Sequence, residues 1–238
     1  MNDNSKGHVL VTGAALRIGR EIALTLAQAG WDVTIHFNRS ADAAQSLALE
    51  IKALGRYAGM AQADLADPQA VAALILSLQG PPLTALVNNA SLFEHDDKDP
   101  DGSRHKAINF AAPITLSHAL LGGLAADSAG AIVHILDNTS QPAILTHYAH
   151  SRHLLRETIP ALATAFAPKV RVNAVAVGPS LINERQSQAH FKARCTETPL
   201  GHASQPIDIA KAVLCLLENS SITGAILPVD SGLHLIST

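Results

Sequence analysis

Short apolar runs alternate with amphipathic stretches along the whole chain. Residues 9–11 are continuously apolar, as a buried strand would be, and residues 18–29 then repeat at helical spacing. Gly30 ends that helix, and residues 31–37 read as a second strand closed by the polar turn Asn38, Arg39, Ser40. The pattern goes on with a helix over 42–54, a strand over 57–63, a helix from about Pro68 and a strand over 85–87. A long helix over 103–126, a strand over 131–136, an alanine-rich helix over 154–166 and a strand over 170–177 follow. A helix over 207–217 and a strand over 225–229 end the series. Regular alternation of this kind predicts one α/β domain over residues 1–238, a doubly wound sheet with helices on both faces.

Composition narrows the picture. Hydrophobic residues make up 47% of the 238, charged residues 16% and aromatic residues 3%, so the core is built mainly from Ala, Leu, Ile and Val and the chain is not disordered. A net charge of −3 offers no basic surface for nucleic acid, and no apolar run approaches the length of a membrane span. The first seven residues resemble no signal peptide, and Cys195 and Cys215 are the only cysteines. A reducing cytoplasm is the expected location.

Chemistry first enters at residues 8–19, H-V-L-V-T-G-A-A-L-R-I-G, where a strand runs through a small-residue turn into a helix. Gly13 can take backbone angles closed to other residues, and a helix N-terminus fed by such a turn suits a phosphate. Arg17 stands where the usual dinucleotide fingerprint has its middle glycine. In a doubly wound sheet the end of the second strand lies beside the adenine ribose of a dinucleotide. This chain has no acid there but His36, Arg39 and Ser40, a cation with hydroxyl and imidazole donors suited to a 2′-phosphate, so NADPH is preferred to NADH. A solvated surface arginine is the plainer alternative.

Asp64, at the end of the third strand, is placed to accept from an adenine amino group, while Asp67 is placed to cap the next helix. The fourth strand runs into Asn88-Asn89-Ala90-Ser91, a backbone held by side-chain amides with Ala90 small enough for a ligand to pass close. Residues 94–102 (E-H-D-D-K-D-P-D-G) read as an exposed loop capable of motion; its acids lack the spacing of a calcium loop. Asn109 lies on the long helix, Asp137 ends the fifth strand, and Arg152 follows Tyr148 by four residues, on the same helical face. His147, His150 and His153 recur every third residue, but with no carboxylate or thiol at a ligand spacing they read as surface or subunit-contact histidines, and no metal is expected. The sixth strand ends in Gly178-Pro179-Ser180, and the polar residues 183–198 read as a lid over the site.

With these stations in order, the chain resembles the short-chain dehydrogenase/reductase family over its full length. The residues that carry the resemblance are Thr12-Gly13 to Gly19, Asn88-Asn89-Ala90, Asn109, Tyr148 and Gly178-Pro179. Within the family it is most similar to the pteridine reductase and dihydromonapterin reductase branch, through T-G-A-A-L-R-I-G-R, H-F-N-R-S at 36–40, N-N-A-S-L-F at 88–93 and Asp137 where most relatives have serine. The resemblance implies a Rossmann-like sheet of about seven parallel strands, a homo-oligomer (tetramer or dimer) and an NADPH-dependent oxidoreductase acting on a pterin-like or carbonyl small molecule.

Roles transfer position by position. The cofactor is assigned Gly13, Arg17, Ile18, Gly19, His36, Asn38, Arg39 and Ser40 at one end, then Asp64, Leu65, Asn89, Ala90 and Ser91, and Tyr148, Arg152, Pro179 and Ser180 at the other. The substrate is assigned Arg17, Ser91, Phe93, Asp137 and Tyr148, with Phe93 stacking a pterin ring against nicotinamide. Asp137, Tyr148, Arg152 and Asn109 form the catalytic set, the first two handling the proton. The family has lysine four residues after its tyrosine; Arg152 keeps the positive charge but does not release its proton at physiological pH. That departure keeps two alternatives in play, a general ketone or sugar reductase and a catalytically silent NADP-binding sensor or scaffold.

Overall fold

The computed structural model describes residues 5–138, 146–182 and 187–236. Its elements, in chain order, are β1 (His8–Val11), α1 (Arg17–Gln28), β2 (Asp32–Phe37), α2 (Ala41–Ala53), β3 (Ala58–Gln62), α3 (Pro68–Leu74) and β4 (Ala85–Asn88). There follow α4 (Ser103–Lys106), α5 (Ala112–Gly123), β5 (Gly130–Asp137), α6 (His147–Phe166), β6 (Val170–Val177), α7 (Gln188–Thr196), α8 (Pro206–Glu218) and β7 (Ile226–Val229). All seven strands pair in parallel in the order β3-β2-β1-β4-β5-β6-β7. The chain therefore winds outward from β1 to β3, crosses back, and winds outward again from β4 to β7.

Strict side-chain alternation explains the unbroken apolar runs. In β1, Val9 and Val11 join Val33, Ile35, Val87 and Val133 under α1, α2 and α8, whereas Leu10 joins Leu86, Ile132 and Val172 under α3, α5 and α6. Both faces are covered, so apolar residues dominate both, and polar strand residues such as His36 and His134 are buried. The alanines at 23, 27, 44 and 48 keep the first helical layer close to the sheet. Among the described residues no helix is long and apolar enough to cross a membrane.

Three departures from the sequence reading concern helices and loops. The long helix expected over 103–126 is interrupted: α4 passes through a π-helical turn, Ala107–Ala111, into α5, which stops at Gly123. Within the expected lid, residues 183–186 lie outside the described residues, and α7 occupies Gln188–Thr196, capped by the Ser187 hydroxyl. The loop 94–102 is exposed for most of its length, but Asp99 is buried at 2% exposure and fastened to α4. Asp67 caps α3, accepting from the Gln69 N–H at 2.8 Å.

The end of α8 is held by one half-buried side chain. Arg171 in β6 donates to the carbonyls of Leu216 (2.7 Å), Leu217 (2.6 Å) and Ile222 (3.1 Å), so a cation meets the negative end of the helix and satisfies carbonyls that have no helical partner. Arg171→Met is expected to lower unfolding stability by about 1.5–3 kcal/mol, read as a lower urea midpoint at unchanged slope. An unchanged midpoint would show that water serves those carbonyls equally well.

Candidate active site

The reversal of winding direction sits between β1 and β4, and there the strand ends part to leave a crevice. Thr12, directly after β1, ties its two walls together. Its hydroxyl accepts from the N–H groups of Asn89 (2.9 Å) and Ala90 (3.0 Å). The Asn89 amide donates back to the carbonyls of Thr12 (2.9 Å) and Gly13 (3.2 Å). Gly13 adopts φ +62°, and a Cβ there would stand 3.1 Å from the Ala90 Cα. Gly19 is tighter still: its Cβ would lie 2.3 Å from the Gly13 carbonyl oxygen and 2.5 Å from the Asn89 amide nitrogen. Leu16 starts α1 without a side-chain cap, so the first N–H groups of the helix are left for another acceptor.

His36 lines the cleft below, with both of its ring nitrogens bonded to the backbone. Its ring is 2% exposed; Nδ1 accepts from the Gly13 N–H at 3.1 Å and Nε2 donates to the Ala63 carbonyl at 3.2 Å. Burial pushes its pKa down to about 4, so the ring props the glycine turn in its neutral form. The strand-end cation is Arg39 alone, exposed beside Ser40 and without a hydrogen bond or ion pair to any described residue.

A cleft of about 360 Å³ opens over this edge. Gly13, Asn38, Arg39, Ser40, Asp64 and Leu65 line one part of it, and Ala90 and Ser91 another. Arg104, Glu94 and Ile108 also line it, and the sequence reading missed all three. Residues 104 and 108 stand four apart, one helical turn, on the same expected helix as Asn109, which was the available signal. Arg104 and Glu94 pair across the rim at 2.8 Å. Ile18 packs on the core instead, and Arg17, with φ +57°, sends its guanidinium to the carbonyls of Leu181 (3.0 Å) and Ile182 (2.9 Å) after β6.

The other predicted residues gather farther along the strand ends, outside this cleft. Tyr148, 5% exposed, meets Phe93 edge to face at 4.6 Å between ring centroids, and Phe93 is 53% exposed. Asn109, fully buried in the π turn, accepts from the Leu92 N–H at 2.7 Å and the Ser91 hydroxyl at 3.3 Å. Its amide donates to the Leu92 carbonyl and to Ser151, whose hydroxyl donates to the Tyr148 carbonyl. Asn109 thus fastens the β4 loop to α6.

Arg152 is buried beneath Tyr148, where it donates to the Ile135 carbonyl and faces Asp137 and His134. Among the described residues its Nε has no hydrogen-bond partner, nor has the buried Ser180 hydroxyl. Burial raises the Asp137 pKa and the guanidinium opposes the rise, which leaves a carboxyl inclined to keep its proton. His134, fully buried, is pushed down to about 3 by burial and then by the same guanidinium. Among the described residues no group of three potential metal ligands occurs.

A family model described as short chain dehydrogenase matches residues 7–191. The chain belongs to that family. It is similar to the FolM alternative dihydrofolate reductase 1 of Brucella suis, solved in complex with NADP, at 36% identity over 98% of this chain and 96% of that one, with a TM-score of 0.91. It is also similar to the angucycline C-6 ketoreductase LanV with bound NADP, at 26% identity, 98% and 97% coverage and a TM-score of 0.87. The galactitol 2-dehydrogenase (L-tagatose-forming) of Cereibacter sphaeroides is 31% identical over 93% of this chain and 92% of its own length. The family is one of oxidoreductases, and the seven-stranded parallel sheet is its Rossmann-like fold.

The buried histidines give the folded protein an acid-sensitive centre. The folded-state values of His36 and His134 lie below the ordinary 6.5, so on acidification the unfolded chain takes up the proton first. Their stabilisation is complete above about pH 6.5 and is lost as the pH falls toward the folded-state values, at up to about 1.4 kcal/mol per pH unit for each ring. Urea unfolding between pH 6.5 and 4.5 should show this slope, and His36→Gln should reduce it. A flat profile would overturn the neutral, buried assignment.

Proposed function

We propose that the chain is an NADPH-dependent reductase that transfers hydride to a C=N or C=O carbon of a pterin-like or carbonyl substrate. The observation that carries this reading is the unpaired Arg39 beside Ser40 on the rim of the cleft, with no carboxylate at the end of β2. A 2′-phosphate is the group such a pair suits.

The residues present fit a dinucleotide. Adding a Cβ at Gly13 or Gly19 would fill the turn beneath the uncapped start of α1, where a pyrophosphate would rest. Asp64 and Leu65 would hold the adenine end, Asn38, Arg39 and Ser40 the 2′-phosphate, and the partnerless Ser180 hydroxyl with Pro179 the carboxamide end. When bound, the cofactor supplies the hydride.

Everything else falls to the chain's own side chains. Negative charge builds on the substrate heteroatom as its carbon is reduced, and an acid beside it must supply a proton. Tyr148 and Asp137 are the donors, and burial raises the Asp137 pKa in the direction that donation requires. Arg152 does not relay a proton; as a fixed buried cation it stabilises the anion left after donation. Phe93 offers its exposed face to a flat ring, and Arg17 stands at the same end through its hold on residues 181–182. We read the protein as cytoplasmic and homo-oligomeric, the latter supported by the exposed Leu227, Leu235 and Ile236 at the β7 edge of the sheet.

A second reading, an NADP-binding protein without turnover, is favoured by one observation: the Arg152 guanidinium bonds the Ile135 carbonyl and not the Tyr148 hydroxyl. NADPH oxidation in the presence of a dihydropterin, and separately of ketones, decides between them. Turnover with either supports a reductase and names its acceptor class; tight NADPH binding with no turnover supports the second reading. Tyr148→Phe should lower turnover by about 100-fold or more with NADPH affinity kept, and full activity would remove the tyrosine from the mechanism. Arg39→Ala should weaken NADPH by about 1.5–3 kcal/mol and leave NADH unaffected, while equal losses for both would move the discriminating contact elsewhere.

A further inference from the structure

Behind the Tyr148 ring lies a buried pair that the proposed chemistry does not use. Asp99, 2% exposed, and His105, fully buried, meet at 2.6 Å, Nδ1 donating to the carboxylate. The same carboxylate accepts from the backbone N–H groups of Arg104 at 3.1 Å and His105 at 2.9 Å. Although burial opposes it, these donors hold the Asp99 carboxyl below its ordinary range. Capping the four-residue α4 requires only the two backbone bonds, so the bond to the ring calls for a separate explanation.

The ring supplies that explanation through its other edge. With Nδ1–H committed to Asp99, Nε2 is an acceptor, and it takes the Glu94 N–H at 3.3 Å. Glu94 directly follows Phe93, and the His105 and Phe93 rings flank Tyr148 at centroid distances of 6.4 and 4.6 Å, both edge to face. The same loop is fastened to the first turn of α6: the Asp96 carboxylate accepts the His147 N–H at 3.3 Å, and His147 Nε2 meets the Pro100 carbonyl at 3.1 Å.

We propose that Asp99 and His105 are a positioning pair, fixing the Phe93–Glu94 backbone and the Tyr148 ring relative to each other. The pair acts on the acceptor side of the site through the backbone that follows Phe93. Asp99 sets the ring tautomer, the ring holds the backbone at residue 94, and that backbone sets the angle at which Phe93 meets Tyr148. The kinetic consequence rests on the reading of Tyr148 as proton donor; the positional one does not.

His105→Phe keeps a ring against Tyr148 and deletes both bonds, and Asp99→Asn puts an N–H₂ among N–H donors. In either variant kcat/KM for the acceptor should fall about tenfold or more with the Kd for NADPH unchanged, because small displacements of reacting groups are costly. The chain has two tyrosines, so a Tyr57→Phe background with ¹³C-labelled tyrosine isolates the Tyr148 resonance, which should move in both variants. Unchanged acceptor kinetics, an equal loss of NADPH affinity, or a Tyr148 resonance that stays in place would overturn the pair. If His105→Phe does not fold, Asp99→Asn decides. If the unaltered protein reduces no acceptor, the reductase reading fails, and the resonance still decides the positioning role.

Discussion

The molecule depends on the knot of hydrogen bonds at the reversal point of the sheet. β1 is paired on one side with β2 and on the other with β4, and the connections leave in opposite directions, so nothing regular covers the strand ends between them. Backbone groups there need partners that are neither helix nor ladder. The Thr12 hydroxyl, the Asn89 amide and the His36 ring supply them: Thr12 and Asn89 lock the β4 turn to the β1 turn, and His36 fixes Gly13 from the β2 side. Every donor in the knot is matched by an acceptor only while His36 is neutral. The crevice is thus held open by uncharged groups, and Arg39 at its rim, with no ion pair to any described residue, keeps its charge available.

This explains what could be read from sequence and what could not. Strands buried on both faces leave continuous apolar runs, so β1, β5 and β6 are legible almost to the residue. The turn glycines are legible too, because Gly13 needs a positive φ and Gly19 has no room for a side chain. The bonds of His36 to the turn were not legible, because composition near a strand end does not say which backbone groups an imidazole will meet. In the fold both of its nitrogens are consumed by backbone, which no local pattern announces. Arg17 was placed correctly at the turn, yet its fork is taken by carbonyls 164 and 165 residues away in the chain. The break at Ala107–Ala111 escaped notice because no proline or glycine marks it; it follows from the demands on Asn109, which bonds the β4 loop and α6 at once.

The β5–α6 edge shows the opposite arrangement from the knot. Arg152, Asp137 and His134 bring a cation, a carboxyl and an imidazole into one buried region, and the bonds available there do not satisfy them all: Arg152 Nε, His134 Nε2 and Asn88 Oδ1 have no hydrogen-bond partner among the described residues. A buried guanidinium costs several kcal/mol unless compensated. Asp137 compensates it weakly, since burial raises that carboxyl's pKa even as the guanidinium lowers it. A lysine would present a compact ammonium here; arginine spreads its charge over a plane and reaches a strand carbonyl at Ile135.

Stability and chemistry are therefore divided between neighbouring strand ends. On the β1–β4 side, polar groups are neutral and saturated, and the geometry is rigid. On the β5–α6 side, ionisable groups are buried and incompletely satisfied, so the Asp137 pKa is raised and the His134 pKa lowered. Such a region is held in shape only by what surrounds it. Asn109 braces it from the π turn, and the loop 94–102, charged and exposed along most of its length, reaches inward at Asp99 to brace it from the other side. A segment with the composition of a mobile loop becomes part of the rigid frame because one of its carboxylates finds three N–H donors in the interior.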